Sequence, residues 1–310
     1  MTNGQKVIEC IHKEMGRGLD ITFYPYKVSM WDSMDSVLRA SLFYDRPHVV
    51  PIGYYTKGSH GKVIGVHHET NYPYPCDRDE DVKTDVAIIH NPYADENKIT
   101  LVPKKYWAST LKDYCYTVYI PYFCMGDSIN EAQVMTNGVG YADMVIVETD
   151  RQREEYIRIL TENHVRFDPH KFKVCGSPKE DMIKTCNPSI PLEWMDKAHG
   201  RKIILLTTSL LPFIGGGEKE IEKITNIFKR YRKDPEWCLL WREHPLIKEA
   251  ILAMNPELTK SYAIMKAHFD GIYDDTNDFH CAFKYSDKCI SEPSSLVHLY
   301  KLTGKEIEVI

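Results

Sequence analysis

Short apolar runs recur along the whole chain, each stopped by a proline, a glycine or a charged turn. They include Asp85 to Ile89, Tyr116 to Ile120, Asp143 to Glu148, Lys171 to Gly176, Arg201 to Leu206 and Trp237 to Arg242. Few of them alternate apolar with polar. Strands read this way when helices cover both faces of a parallel sheet. Helical patterns separate the runs: Trp31 to Leu42, with Ser29 or Asp32 as its cap, then Ile129 to Asn137, Arg151 to Glu162 with its stripe at Tyr156, Ile159 and Leu160, and Glu218 to Lys233. Strand, helix and strand in succession specify a doubly wound α/β sheet. Two such series are present. The first opens with the strands Asp20 to Pro25 and His48 to Ile52, the second with Arg201 to Leu206. Cys186 to Pro191, with two prolines, reads as the linker. The expectation is two Rossmann-like domains facing across a cleft, residues 1–187 and 188–310.

Composition narrows the function classes. A chain of 310 residues is long enough for two domains. Its net charge of −5 gives no broad basic face, so nucleic acid is not an expected partner. No apolar run approaches the length of a bilayer span, and Met1 to Lys6 leads into a mixed helix, not an apolar signal core. The nine cysteines contain no C-x-x-C pair, so neither zinc nor a thioredoxin-like motif is suggested. A cytoplasmic location is expected, with each cysteine acting as a small buried apolar residue. No metal and no tightly bound cofactor are expected.

Two stretches carry chemistry. In Leu239-Leu240-Trp241-Arg242-Glu243-His244-Pro245 an apolar strand runs into a charged turn and stops at the proline, which has no N–H to give. Residues two apart face one side of a strand, so Arg242 and His244 share a face. A cation and an imidazole at the carboxyl end of a parallel strand lie where open α/β sheets bind ligands. Further on, the strand Lys288 to Ser291 is followed by Glu292, Pro293 and a helix beginning near Ser295, with Ser294 as its cap. Two hydroxyls at a helix N-terminus suit an anion. Thr207-Thr208-Ser209 follows another buried strand, and Gly215-Gly216-Gly217 precedes a helix, without the closing Gly-Lys-Ser/Thr of a P-loop. A phosphate contact and a plain flexible loop both fit it. His67-His68-Glu69 lacks zincin spacing and reads as polar residues on the surface. Asp274, Asp275 and Asp278 suit a helix start better than a divalent ion.

In this order and spacing the stretches resemble the CDP-glycerol glycerophosphotransferase family, the polymerases and primases of teichoic-acid-type polymers. The family's Arg-Pro-His-Pro corresponds to Arg242-Glu243-His244-Pro245, its Thr-Asp-Tyr-Ser-Ser to Ser291-Glu292-Pro293-Ser294-Ser295, and its Gly-Tyr-Pro-Arg to Gly176-Ser177-Pro178-Lys179, with Asp181 following. The likeness is densest from Phe172 onward. It implies a GT-B fold and a transferase that moves a glycerophosphoryl group from CDP-glycerol to an acceptor hydroxyl in cell-wall or capsular polymer synthesis.

On this resemblance Arg242 and His244 hold the diphosphate and Ser294 and Ser295 the phosphate oxygens. Thr208 and Ser209 face the donor, and Glu292 orients these groups or contacts the donor's hydroxyls. The acceptor is a polymer or glycolipid, with peripheral association at the inner face of a membrane. The family's first-domain Trp-His-Gly has no counterpart; the matching place reads Pro121-Tyr122-Phe123, and His90 at the end of the strand Asp85 to Ile89 is the expected replacement base. The family continues past this chain's last strand, Glu306 to Ile310, with a returning helix, so the chain reads as short at its end or as a fragment. Two alternatives stay open: a GT-B glycosyltransferase using a nucleotide sugar, and a degenerate relative that binds without catalysis.

Overall fold

A computed structural model describes residues 1–94, 96–124, 126, 129–276 and 278–310. The chain divides into two compact units. The first comprises Met1–Tyr55 and Val66–Thr185; the second comprises Thr56–Gly65 and Cys186–Ile310. The short segment Thr56–Gly65, expected in the first domain, therefore groups with the second.

The first unit holds a six-stranded sheet. Its strands are β1 (Asp20–Tyr24), β2 (Arg46–Val49), β3 (Val86–Ile89), β4 (Tyr116–Tyr119), β5 (Met144–Val147) and β6 (Phe172–Val174), in the order β2-β1-β3-β4-β5-β6. Every neighbouring pair is parallel. The strands alternate between two apolar layers. Ile21, Phe23, Val86, Ile88, Met144 and Ile146 face a layer with Val7, Ile8 and Ile11 of helix α1 (Asn3–Met15) and Val37 and Leu38 of helix α2 (Asp35–Ser41). Tyr24, Ala87, Ile89, Tyr119, Val145 and Val147 face the other layer, where Tyr156, Ile159 and Leu160 of helix α3 (Asp150–Glu162) pack. Period two in the strand and two covered faces explain why the runs read as continuously apolar. Each fully buried side chain of this size contributes about 1.5–3 kcal/mol. Helix α4 (Pro178–Thr185) closes the unit.

In the second unit, helix α5 (Leu192–Ala198) leads into β7 (Lys202–Thr208), and helices α6 (Leu210–Gly216) and α7 (Glu218–Tyr231) follow it. Then come β8 (Trp237–Glu243), helices α8 (Ile247–Met254) and α9 (Thr259–Ala267), β9 (Ile272–Tyr273), α10 (His280–Tyr285), β10 (Lys288–Ser291), α11 (Ser295–Lys301) and β11 (Glu306–Val309). The five strands run parallel in the order β9-β8-β7-β10-β11. One face packs Ile204, Leu206, Leu239, Trp241 and Ile290 against Ile221, Ile224 and Phe228 of α7 and Tyr262 and Met265 of α9. Among the described residues no helix is long and apolar enough to cross a membrane.

Some local expectations fail for identifiable reasons. The helix expected over Trp31 to Leu42 splits into a 3-10 turn, Val28–Ser33, and α2, with Met34 at φ −116° between them. No side chain caps α2, because its cap position is Met34; Asp32 lies in the preceding 3-10 turn and pairs with Lys179. The helix expected over Ile129 to Asn137 is two short pieces, Glu131–Val134 and Asn137–Tyr141, the second capped by Thr136. The loop expected from Thr207 to Gly217 contains α6. Gly217, at φ 58°, makes the turn from α6 into α7 that a residue with a Cβ adopts only under strain.

Candidate functional site

In the second unit Thr207 is in register with Arg242 on one side and Ser291 on the other, so three strands end level. Counted within the unit the strand order is 3-2-1-4-5, the dinucleotide-binding order, and it reverses between β7 and β10. A reversal of strand order is where open α/β sheets bind ligands.

One carboxylate ties the two loops together. Glu292, at 0% exposure, accepts the Ser209 N–H on Oε2 at 2.5 Å. Lys223 Nζ lies 3.2 Å from Glu292 Oε1 and 2.6 Å from Glu220 Oε1, both acids meeting the first turns of α7. Burial, and then the neighbouring Glu220 carboxyl, push Glu292 up from 4.5 to about 7, while the Ser209 N–H and Lys223 pull the other way. With Oε2 accepting the Ser209 N–H and Oε1 beside the Lys223 ammonium, Glu292 braces the Ser209 loop. Glu220 and Lys223 were not singled out from the sequence, where an i, i+3 acid–base pair reads as an ordinary helix face.

The hydroxyls fall into two groups. Thr207 Oγ1 donates to Ser291 Oγ at 2.7 Å, which donates to Glu292 O, and Thr208 Oγ1 accepts Trp241 Nε1–H at 3.2 Å. Thr208 and Ser291 thus knit the strand ends together. Ser209 and Ser294 are less committed. Ser209 Oγ reaches Pro293 O only at 3.5 Å, and Ser294 sits at the cap position of α11 without capping it. Ser294 Oγ is buried with no hydrogen-bond partner among the described residues. A buried hydroxyl left unpaired costs roughly 1–3 kcal/mol, a cost that an incoming acceptor oxygen would remove. Ser295 is half-buried beside it.

At β8, alternation sends Glu243 to Lys266 and Tyr273, on the α9 side. Arg242 is 6% exposed; its Nη1 donates to Asp274 Oδ2 at 2.7 Å and to Thr276 O at 3.2 Å. The cation expected at the diphosphate is therefore neutralised by an aspartate and ties the β8 and β9 ends together. Asp274 also accepts the N–H and hydroxyl of Thr276, and Asp278 accepts the His280 N–H, so these acids shape a turn and a helix start. His244 is half-buried and accepts the Leu246 N–H on Nδ1 at 3.1 Å, which places the neutral ring's proton on Nε2.

The first unit has its own reversal point, between β1 and β3, and His90 stands at it. It is fully buried: Nε2 accepts the Tyr26 N–H at 3.2 Å, and Nδ1 lies 3.0 Å from Ser33 Oγ, which donates to Met30 O. Burial, reinforced by the Lys179 ammonium, pushes the ring down from 6.5 to about 3. The expected base is thus a neutral, Nδ1-protonated ring with both nitrogens hydrogen-bonded inside the first unit. In the family-like stretch after β6, Lys179 pairs with Asp32 at 2.8 Å and Asp181 accepts the N–H groups of Asn3 and Gly4. His67 stacks on Tyr54, and Glu69 accepts the Val28 N–H and the Tyr54 hydroxyl, so that trio is structural.

No protein-family model matches the chain, and no curated protein sequence does. Solved structures do. A UDP-GlcNAc 2-epimerase from Methanocaldococcus jannaschii, in complex with UDP-GlcNAc and UDP, superposes with a TM-score of 0.56 at 9% identity, over 94% of this chain and 83% of that one. The S. aureus MnaA–UDP structure gives 0.55 at 14%, over 94% and 79%. The chain has the GT-B fold. Both GT-B domains are Rossmann-like, and at such identities the likeness extends to the fold alone. The wall teichoic acid polymerase TagF, as the H444N form with CDPG, aligns over 98% of this chain and 74% of its own at 14% identity, with a TM-score of 0.48.

Proposed function

We propose that this GT-B chain is an enzyme acting on a nucleotide diphosphate ester, held at the reversal point of the second unit's sheet. The observation that supports it best is the buried, unpartnered Ser294 hydroxyl after β10, with Ser295 next to it in the chain and Ser209 Oγ 3.5 Å from Pro293 O. His244 is the titratable group at the end of β8 and is assigned to the departing phosphate. Arg242 and Glu292 position the loops, and Thr208 holds the strand ends.

The finer reading is glycerophosphoryl transfer from CDP-glycerol, supported by the motif order from Arg242 to Ser295. An acceptor hydroxyl attacks the phosphorus bearing glycerol, the bond from that phosphorus to the bridging oxygen breaks, and CMP leaves. Hydroxyls and an imidazole aimed at the phosphates stabilise the charge that develops there. The acceptor would be a polymer or glycolipid at the inner face of a membrane. A second reading, a nucleotide-sugar substrate, is favoured by the neighbours solved with UDP and UDP-GlcNAc.

Ligand-induced melting shifts separate the two, since a ligand of the folded state raises stability by mass action. CDP and CDP-glycerol are expected to raise Tm more than UDP, UDP-GlcNAc or ADP, and CDP-glycerol to yield CMP in the presence of an acceptor. A larger UDP-GlcNAc shift would select the second reading. No shift with any nucleotide would overturn both.

A further inference from the structure

We infer that Cys10 and Cys175 form a redox-active dithiol, oxidised by hydroperoxides to a disulfide that staples α1 to the end of β6. The two sulfurs lie 3.8 Å apart although 165 residues separate them in sequence. Closing a disulfide needs about 2.0–2.1 Å, so a shift of under 1 Å on each side suffices.

The backbone on both sides is already fixed. The Cys175 N–H donates to Val147 O at 3.0 Å, which continues the β5–β6 ladder past the strand. Gly176, at φ +81°, turns the chain under α1, where a Cβ would strike the Asn3 side chain at 2.5 Å. Asn3 Nδ2 donates to Ser177 O, and the Asp181 carboxylate accepts the N–H groups of Asn3 and Gly4 at 3.0 and 2.9 Å. The first turn of α1 is thus clamped to the segment that follows Cys175.

The two thiols differ in kind. Cys10 is half-buried on α1, with the Lys13 and Lys173 ammonium groups near it; Glu9 opposes them, and Glu14 pairs with Lys173 at 2.7 Å. The Cys175 thiol, donating to Cys10, together with these cations, holds Cys10 below the usual thiol range against the effect of burial. Cys175 is 1% exposed and is held up by the same hydrogen bond and by burial. Burial likewise raises Cys115, Cys124, Cys281 and Cys289, which makes them inert. Cys10 is therefore the attacking thiolate and Cys175 the resolving thiol. The Cys10 thiolate displaces an alcohol from the hydroperoxide ROOH and becomes a sulfenic acid. Cys175 then attacks that sulfur and releases water. Overall, two thiols and ROOH give one disulfide, ROH and H2O.

The test treats the full chain with hydrogen peroxide and maps peptides by mass spectrometry. The expected result is a Cys10–Cys175 cross-link with loss of two hydrogens and a raised Tm. Cys175→Ser should stop at a dimedone-trappable sulfenic acid on Cys10, and Cys10→Ser should leave Cys175 reduced. In unmodified protein, iodoacetamide should alkylate Cys10 at a lower pH than the exposed Cys76. If Cys10 is alkylated and oxidised no faster than Cys76, or peroxide yields no Cys10–Cys175 peptide, the inference is overturned. The alkylation arm needs no variant, so a Cys175→Ser chain that fails to fold does not shield it.

Discussion

The two units solve the same topological problem in opposite ways. Each is a parallel sheet whose strand order reverses once, and each gathers polar residues at that reversal. In the first unit the gathering is directed inward. His90 spends both ring nitrogens on Tyr26 and Ser33, and Lys179 pairs with Asp32 at 6% and 3% exposure. In the second, Glu292 is held above the carboxylate range and Ser294 keeps an unused hydroxyl. The same rule of open sheets therefore marks a structural anchor in one half and a candidate ligand site in the other. Topology locates polar residues at both reversals; because Ser29 Oγ, in the loop after β1, is also buried without a hydrogen-bond partner among the described residues, the unused Ser294 hydroxyl marks a site only together with the motif order around it.

The contrast breaks most visibly at Lys179. Lys179→Ala leaves the Asp32 carboxylate buried without its cation and should cost about 3–5 kcal/mol in urea denaturation. Lys179→Met with Asp32→Leu should recover most of that, because no charge then needs solvating. A loss of under 1 kcal/mol for the single variant would mean that the first unit's polar cluster is not an anchor. His90→Gln should cost less, roughly 1–3 kcal/mol for unmet buried hydrogen bonds. It should leave any nucleotide-induced Tm shift unchanged.

The pH dependence sharpens the contrast, since the two reversal points have opposite signs. His90 is lowered to about 3 from 6.5, so below 6.5 the unfolded chain binds a proton that the native unit refuses. Its contribution is complete above pH 6.5 and is lost as pH falls toward 3. Glu292 is raised to about 7 from 4.5, so between those values the native unit binds the extra proton. Its contribution is complete below pH 4.5 and is lost as pH rises through 7. Hydrogen exchange followed by unit should show β1 and β3 loosening toward acid and the Ser209 loop loosening toward alkali. Glu292→Gln should flatten the second trend alone. Parallel trends in both units would remove the distinction.

The sequence made the strands legible because burial on both faces leaves a mark on every residue of a run. Val86 to Ile89 and Lys202 to Thr208 read as strands within one or two residues of their ends. Partners distant in sequence leave no such mark. Arg242 is a surface-like cation until Asp274, thirty-two residues on, is beside it. His90 sits at a strand end, as its sequence position implies, yet the Tyr26 and Ser33 groups that occupy it come from the loop after β1. Cys10 and Cys175 have no motif spacing at all. Helix α6 was hidden because Leu210 to Gly216 contains a proline and two glycines, which read as loop.

The smallest stability effect should fall on Ser294, and it discriminates most sharply between scaffold and site. If the hydroxyl is scaffold, removing it should destabilise, as it would at a working helix cap, where Ser→Ala costs about 1 kcal/mol. Its Oγ caps nothing and meets no partner among the described residues. Ser294→Ala should therefore change stability by less than about 0.5 kcal/mol, or even raise it, because an unmet buried polar atom is deleted. The same substitution should reduce the Tm shift given by the preferred nucleotide, since the phosphate oxygen loses its donor. A drop in stability with an unchanged nucleotide shift would return Ser294 to the scaffold, and with it the reading of the second reversal point as a ligand site.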